Sequence, residues 1–391
     1  MRGRPPAALA LAVLALAVVA LAAGCGSPAP SAPRPAAEAP PGGAPFLATS
    51  TVTAAGTWAV AVMGGPVAQE NNFWQLFVRP AGTSRWQLVT PPGTADNGGL
   101  VLADAGGSLI TGFRPSQYLT YTPLTLTRDG GRAWSSTGPL DAALANVPDA
   151  LAAAPGSGHL LALLTDGTAE LAAPGYTSWT TLTTQRSLAA TAAGRTCGLQ
   201  DLTAVAFAPP GTPLLGGSCG RPGTTGIFAD TGGSWRAAGP ALPAALAGQP
   251  VRVLRLTSTA SGTVALLTAG TGSDASLLAA WSPDGGSHWT LSPPLPLHGA
   301  GLSSASFGPG GSAAVITTTN SGQIMTGAGS SWLSLPPLPQ GTATLAPGPS
   351  GTADALAVHG GTLTVWQHVP GGTTWAKAQV INVPIQYGSS S

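Results

Sequence analysis

The sequence predicts an all-β protein, a β-propeller of seven four-stranded blades. Seven of its eleven tryptophans recur at intervals from 43 residues (Trp289 to Trp332) to 56 residues (Trp179 to Trp235). Short runs rich in Val, Leu, Ala and Thr alternate with turns rich in Gly, Ser and Asp, as expected for short strands. A strand-rich repeat of about 40 to 50 residues is typical of propeller blades. The repeating tryptophans are Trp86, Trp134, Trp179, Trp235, Trp289, Trp332 and Trp375.

Several repeats share the sequence Ser/Thr-x-Asp-x-Gly-x-x-Trp, which we call the turn motif. Two copies are complete, and a third lacks only the hydroxyl residue. The weaker copies keep a glycine three residues before Trp332 and Trp375, or only the tryptophan at Trp86 and Trp179. The three stronger copies comprise Thr127, Asp129, Gly131 and Trp134; Asp230, Gly232 and Trp235; and Ser282, Asp284, Gly286 and Trp289.

The chemistry of the turn motif explains its repetition. We expect the aspartate, at a hairpin corner, to accept hydrogen bonds from backbone N–H groups one and two residues further on. The glycine supplies the positive φ that such a turn requires. The tryptophan leads the next strand and buries its ring between neighbouring blades. The motif therefore predicts a structural role for its aspartates, not a catalytic one.

The repeats can be divided into strands. The fifth repeat predicts strands at 251–256, 263–268, 276–281 and 289–291, and the first predicts strands at 51–54, 57–63, 73–78 and 86–90. The first blade then needs no distant strand to complete it. A last strand near 380–383 is expected to join either blade one or blade seven.

These copies of the turn motif resemble those of the Asp-box (BNR repeat) propellers, which include sialidases, Ycf48 assembly factors and sortilin-type receptors. The resemblance extends over about residues 46–386. It implies that the motifs lie on the face away from the ligand site, so they carry no information about catalysis.

The N-terminus has the features of an export signal. Arg2 and Arg4 precede an apolar run from Ala7 to Ala23, and Gly24 and Cys25 follow. The segment Ala22-Ala23-Gly24-Cys25 resembles a bacterial lipobox, with Ala in place of the usual Leu three residues before the cysteine. We therefore expect residues 1–24 to be a lipoprotein signal peptide and Cys25 to be acylated. The alternative is an ordinary signal peptide with an incidental cysteine.

Residues 25–45 predict a lipidated tether, because Pro, Ala, Gly and Ser dominate and cannot form a core. Residues 46–391 then form the propeller. No segment after residue 25 is long and apolar enough to cross a bilayer. We expect a monomer, anchored by lipid on the outer face of the bacterial cytoplasmic membrane.

Charged residues make up only 7% of the chain, and the net charge is +1. With so few charges and so small a net charge, the chain is not expected to have an extended basic face for a phosphate backbone, so we expect no nucleic acid partner. No cofactor motif is present.

Two cysteines remain after Cys25, and in an exported protein the pair Cys197 and Cys219 predicts a disulfide. A zinc site is the alternative. The five histidines are scattered singly and lack the ligand spacing of such sites, so we expect no metal.

The predicted strand order sorts the connections onto two faces. The turns from first to second and from third to fourth strand lie on one face, the turn face. The connections from second to third strand and between blades lie on the other, the loop face. We expect both Cys197 and Cys219 on the loop face, together with a cluster of candidate binding residues. That cluster comprises Glu70, Asn71, Asn72, Asp96, Arg114, Gln117, Tyr118, Arg186, Arg195 and Arg221.

Two functions are consistent with this pattern. The first is a surface-anchored, non-catalytic propeller that binds a glycan, a peptide or an envelope protein, or serves as an assembly scaffold. It requires no catalytic set, which suits a chain with few ionisable residues.

The alternative is an exo-α-sialidase-like glycoside hydrolase. That chemistry uses three arginines on the sugar carboxylate, a tyrosine nucleophile assisted by a glutamate, and an aspartate acid/base. Gly112-Phe113-Arg114-Pro115 is similar to the Phe/Tyr-Arg-Ile-Pro motif of sialidases but lacks the Ile. Tyr118 and Glu70 complete the candidates, although the family nucleophile comes from a late blade. We therefore expect no enzyme activity.

Overall fold

The structure is a computed structural model that describes residues 49–64, 72–91, 100–104, 108–113, 124–136, 148–176, 178–259 and 262–383. Within these residues the strands form seven antiparallel blades of four strands each. Blades 1 to 3 comprise β1 (Thr49–Thr53), β2 (Gly56–Gly64), β3 (Asn72–Pro80) and β4 (Gln87–Leu88); β5 (Leu100–Asp104), β6 (Leu109–Phe113), β7 (Leu124–Thr127) and β8 (Ser135–Ser136); and β9 (Ala150–Ala153), β10 (Leu160–Leu163), β11 (Thr168–Ala172) and β12 (Trp179–Thr184).

The remaining blades follow in chain order. Blade 4 comprises β13 (Leu199–Ala208), β14 (Thr212–Cys219), β15 (Gly226–Asp230) and β16 (Trp235–Ala237), and blade 5 comprises β17 (Val251–Thr259), β18 (Gly262–Ala269), β19 (Ser276–Ser282) and β20 (Thr290–Leu291), with β21 (Leu295–Pro296) beside β19. Blade 6 comprises β22 (Leu302–Phe307), β23 (Ala313–Thr317), β24 (Gly322–Met325) and β25 (Trp332–Ser334), and blade 7 comprises β26 (Thr342–Pro347), β27 (Ala353–His359), β28 (Thr362–His368) and β29 (Ala376–Asn382).

Helical structure in the described part of the chain is confined to connections. Two short helices, α1 (Gln185–Ala189) and α2 (Ala192–Cys197), lie between blades 3 and 4. Thr184 and Thr191 cap their N-termini through side-chain oxygens. None of these helices is long and apolar enough to span a bilayer. Single 3₁₀ turns occur at Ala244–Leu246, Gly272–Asp274, Pro309–Gly311 and Pro349–Gly351.

The predicted fold class is confirmed, with differences in strand length. In blade 5 the first strand extends to Thr259, three residues beyond the predicted end. In blade 1 the fourth strand is only Gln87–Leu88, shorter than predicted. Blades 4 and 5 share two residue pairs, Ser218 with Arg252 and Cys219 with Val251, which join their sheets.

The hydrophobic core consists of apolar layers between neighbouring blades. Phe77 of blade 1 and Leu356 of blade 7 belong to one such layer, and both are fully buried. Burying a side chain of this size contributes roughly 1.5–3 kcal/mol. The layer between blades 1 and 7 thus stabilises the closed ring in the same way as the other layers.

The terminal strand β29 completes blade 7 by pairing with β28, which decides between the two predicted alternatives. Side chains then join blade 7 to blade 1. The Asp354 carboxylate accepts hydrogen bonds from the Arg79 guanidinium and, at 2.8 Å, from the Trp86 indole. The Gln379 side chain bonds both the N–H and the C=O of Trp86 at 2.8 Å. We call these contacts the closing seam.

The complete turn motifs show how the corner is held. The Asp284 carboxylate accepts hydrogen bonds from the N–H groups of Ser287 and His288, at 3.1 and 2.8 Å. Asp129 accepts equivalent bonds from Arg132 and Ala133. The prediction that the donors lie one and two residues after the aspartate was wrong. The donors lie three and four residues after it, because the carboxylate spans the whole turn.

The tryptophan of each complete motif also bonds to the preceding blade. The Trp289 indole donates to the carbonyl of Ala238 in blade 4 at 2.7 Å, and the Trp134 indole donates to Val89 of blade 1 at 3.1 Å. Gly286 has a φ of 86°, and a Cβ there would lie 2.4 Å from the Ala238 carbonyl oxygen. The glycine is therefore required both by the turn and by the close approach of the preceding blade.

We expect the Asp284 interactions to be lost in acid. The hydrogen bond from the His288 side chain, followed by that from its backbone N–H, lowers the pKa of Asp284 from 3.8 to about 2. A carboxyl whose pKa is lower in the folded state stabilises the fold above its unfolded pKa and ceases to do so as the pH falls through about 2. Asp284→Asn should therefore lower the melting temperature at neutral pH, and the difference from wild type should vanish near pH 2. Asp274→Asn, in an exposed 3₁₀ turn, is the control, and an Asp284→Asn difference that persists at pH 2 would contradict the assignment.

Candidate functional site

A cavity of about 540 Å³ lies on the axis of the ring. Its walls are the first strands of blades 1 to 5, and its mouth on the loop face is formed by residues 268–275 and 297–302. This volume lies within the range of about 300–1,000 Å³ that is typical of small-ligand sites. The wall combines leucine, valine and alanine side chains with a nearly equal share of polar surface.

The cavity is displaced from blades 6 and 7 because hydroxyl groups close that side. The Ser304 and Ser306 hydroxyls lie 3.1 and 3.2 Å from the Thr344 hydroxyl. Ser50 of blade 1 bonds to Ser306 through its N–H at 2.9 Å and to the Leu345 carbonyl through its hydroxyl at 3.0 Å. The first strands of blades 6, 7 and 1 thus pack together, and the open space remains beside the first strands of blades 1 to 5.

The polar part of the wall is centred on Arg252 at the start of β17. Its guanidinium pairs with the Asp201 carboxylate of blade 4 at 3.2 Å. Asp201 is buried and also accepts the Ser218 N–H at 3.0 Å, which fixes its orientation. The Arg252 side chain remains 34% exposed and borders the cavity. Asp149, just before β9, borders it from blade 3, so both signs of charge face the same space.

A second arginine, Arg255, borders the cavity further along β17. Its guanidinium donates to the Ala305 carbonyl of blade 6, and the guanidinium carbon lies 5.1 Å from the centre of the Phe307 ring. Burial lowers the pKa of Arg255 to about 10, so the group keeps its charge at neutral pH. The register of β17 shifts between Val253 and Arg255. Such a bulge reverses the alternation of side chains, which allows residues three apart to border one cavity.

The sequence-predicted binding residues do not line this cavity where they are described. Arg186 lies in α1, Arg195 in α2 and Arg221 just after β14, all exposed on the loop face beside the Cys197–Cys219 pair. Asn72 begins β3. The other candidates, Glu70, Asn71, Asp96, Arg114, Gln117 and Tyr118, and the lipidation candidate Cys25, lie outside the described residues.

The predicted disulfide between Cys197 and Cys219 is present, with the two Cα atoms 4.9 Å apart. Both residues are buried in the apolar layer between blades 3 and 4. The bond joins the end of α2 to the end of β14, so it fixes the helical connection to blade 4 on the loop face.

A sialidase set is not assembled in the described part of the chain. The described cavity wall contains no tyrosine, glutamate or aromatic side chain. Glu170 lies on β11, where it is buried and accepts the Thr181 hydroxyl at 2.7 Å. Among the described residues no group of three His, Cys, Asp or Glu side chains is placed to hold a metal ion.

Sequence reasoning missed Arg252 and Arg255 as cavity residues. Both lie within the predicted strand 251–256, and a position in a strand does not by itself indicate a cavity residue. The signal was nevertheless present, because two arginines stand in one short, otherwise apolar segment, Val251-Arg-Val-Leu-Arg-Leu256, of a chain with 7% charged residues. Charges inside an inner strand need a partner or a cavity.

No protein-family model matches the sequence, and no curated protein is significantly similar to it. Among solved structures, a Lactobacillus plantarum protein superimposes with a TM-score of 0.51 at 10% identity, covering 84% of this chain and 96% of that one. The GH74 xyloglucanase from Xanthomonas campestris gives a TM-score of 0.50 at 16% identity, covering 83% of this chain and 52% of the xyloglucanase. YCF48 bound to a D1 peptide gives a TM-score of 0.44 at 15% identity, covering 81% of this chain and 89% of that one. At these identities the likeness concerns the fold alone, and the two structures with TM-scores of 0.51 and 0.50, together with the seven blades, show that the chain is a β-propeller.

Proposed function

We propose that the chain is a lipid-anchored, non-catalytic binding protein of the Asp-box type, which takes an extended peptide segment of an envelope protein into the mouth of the central cavity. The observation that carries this proposal is the cavity itself. It is open on the loop face, combines apolar side chains with polar groups and presents Asp149 and Arg252 to the same space. A peptide segment offers apolar side chains together with both hydrogen-bond donors and acceptors.

The described wall favours a peptide over a glycan. Sugar rings present apolar faces that stack well on aromatic side chains, and the described wall contains none. Nor does any observation favour the sialidase alternative, since the two cavity arginines come from one strand and the described wall provides neither a tyrosine nor a glutamate. A role as an assembly scaffold agrees with the same peptide-binding site.

The test is to close the mouth of the cavity. Thr271 is exposed at the rim, so Thr271→Trp should obstruct entry without disturbing the core. Thr373→Trp is the matched control, because Thr373 is also an exposed turn residue but lies on the turn face. We expect binding to peptides on an array of envelope-protein segments to fall at least tenfold in Thr271→Trp and to be unchanged in Thr373→Trp.

Three results would contradict the proposal. Equal binding by both tryptophan variants would place the peptide elsewhere. Binding to a glycan array that only Thr271→Trp abolishes would replace the peptide by a sugar. Cleavage of a fluorogenic sialoside that disappears in Arg252→Met would make the protein an enzyme.

The proposed anchor is tested independently at Cys25. Labelled fatty acid should enter the wild-type protein in a bacterial host, because the small residues before Cys25 and the preceding apolar run resemble a lipobox. Cys25→Ala should abolish incorporation while the protein is still exported. Label that persists in the variant would show that Cys25 is not the acylated residue.

A further inference from the structure

The chain enters the propeller on the loop face. Thr53 pairs with Gly56 across the turn that joins β1 to β2, so Thr49 lies at the opposite end of β1. Turns from first to second strand lie on the turn face, and the start of β1 therefore lies on the loop face. Whatever precedes Thr49 in the sequence, including the proposed tether, is attached to the ring on this side.

Three exposed arginines lie on the same face, and we call them the arginine patch: Arg186, Arg195 and Arg221. They surround the disulfide. The Arg221 N–H donates to the Cys197 carbonyl at 3.0 Å, and Arg195 lies in the last turn of α2, which ends at Cys197. Arg186 lies in α1, whose C-cap N–H bonds the Arg186 carbonyl. The two helices contact each other, so the elements that carry Arg186 and Arg195 are adjacent on the loop face.

One exposed acidic residue lies close to this patch: Asp166 precedes Gly167, whose carbonyl accepts the N–H of Gln185 beside Arg186, so the surrounding described residues leave the patch with more positive than negative charge. From Leu171 to Ala229 the sequence contains one acidic residue, Asp201, and this carboxylate is buried and paired with Arg252. None of the three patch arginines pairs with an acidic side chain among the described residues. In a chain whose net charge is +1, the patch is a local concentration of positive charge.

We propose that the arginine patch binds the anionic headgroups of the phospholipid bilayer. A guanidinium matches a phosphate with two parallel hydrogen bonds, and basic residues next to a lipid anchor strengthen membrane attachment. The inference rests on the proposed tethering, since the tether joins the ring on the face that carries this patch. The cavity mouth then opens towards the membrane, where membrane proteins present their exposed segments.

The turn face supplies a matched control. Arg85, Arg128 and Arg132 are exposed there, in the turns of blades 1 and 2. Replacing them by glutamine removes the same charge as replacing the patch, but on the face where the chain does not enter. A general effect of net charge would be equal in the two triple variants, whereas the proposed contact affects only the patch variant.

The experiment uses residues 46–391, which contain all seven blades and lack Cys25, with vesicles of phosphatidylglycerol and phosphatidylcholine. Each arginine near an anionic bilayer strengthens binding about fivefold. Co-sedimentation at low salt should therefore weaken at least tenfold in Arg186→Gln/Arg195→Gln/Arg221→Gln. It should change little in Arg85→Gln/Arg128→Gln/Arg132→Gln, and wild-type binding should disappear in pure phosphatidylcholine. Circular dichroism establishes that both variants are folded.

Three outcomes would overturn the assignment: equal weakening in the two variants, no binding of the wild type to anionic vesicles, or binding to polyglutamate without binding to vesicles. The last would assign the patch to an acidic polypeptide. Because this protein lacks Cys25, the result does not depend on lipidation. Failure of fatty-acid labelling would remove the tether, whereas failure here would remove the headgroup contact.

Discussion

Asp354→Ala is expected to destabilise the propeller by about 3–5 kcal/mol, the usual cost of removing one partner of a buried ion pair. Only 4% of the Asp354 side chain is exposed, and 19% of Arg79. Without the carboxylate, the Arg79 guanidinium and the Trp86 indole N–H lose their shared acceptor in the closing seam. Denaturation in urea measures the loss as a lower midpoint.

The intact pair is not expected to be strongly stabilising by itself. Burial raises the pKa of Asp354 above its ordinary value, although Arg79, Trp86 and Gln367 all act in the opposite direction. Removing the charge from both partners should therefore cost less than removing it from one. Arg79→Met/Asp354→Asn keeps an acceptor for the Trp86 indole and should be more stable than Asp354→Asn alone. If the double variant is the less stable of the two, the unpaired cation is not the source of the cost.

Removing the disulfide is the second large effect. The bond closes a loop with a sequence separation of 22 residues, for which restricting the unfolded chain contributes about 3 kcal/mol. Cys197→Ser/Cys219→Ser should therefore unfold at a clearly lower urea concentration than the wild type. The two single variants should match the double variant, because each of them already breaks the bond.

Reduction provides the control for the serine side chains. Wild-type protein treated with a thiol reductant should lose the same stability as the double variant, and the double variant should not respond to the reductant. Equal stability of oxidised and reduced wild type would show that the loop is restrained by packing alone, through the buried layer between blades 3 and 4.

The repeat could be predicted from sequence because its signals are local. The glycine of each complete motif needs a positive φ, and the tryptophan needs a neighbouring blade, so both recur wherever a third strand turns into a fourth. The disulfide followed from the same strand order, which places Cys197 and Cys219 on one face. The donors to Asp129 and Asp284 were predicted wrongly because the motif does not show how many residues of the turn the carboxylate spans.

The cavity could not be predicted in the same way. Its shape depends on how the first strands of different blades meet, and the hydroxyl contacts among Ser50, Ser306 and Thr344 join residues 38 and 256 positions apart. The placement of Arg252 and Arg255 depends on a bulge in β17, which strict alternation would not allow for. Long-range packing, not local propensity, therefore defines the candidate site.

The closing seam also determines how the ring responds to mechanical load. Every blade is made from consecutive residues, and in the described part of the chain no strand is shared between blades 1 and 7. A pulling force applied before Thr49 acts first on β1, where Ser50 bonds to the Ser306 hydroxyl of blade 6 and to the Leu345 carbonyl of blade 7. Elsewhere the polypeptide itself connects adjacent blades, but here only side-chain contacts resist separation. Under tension the ring should therefore open at this joint, and blade 1 should detach before any other blade unfolds.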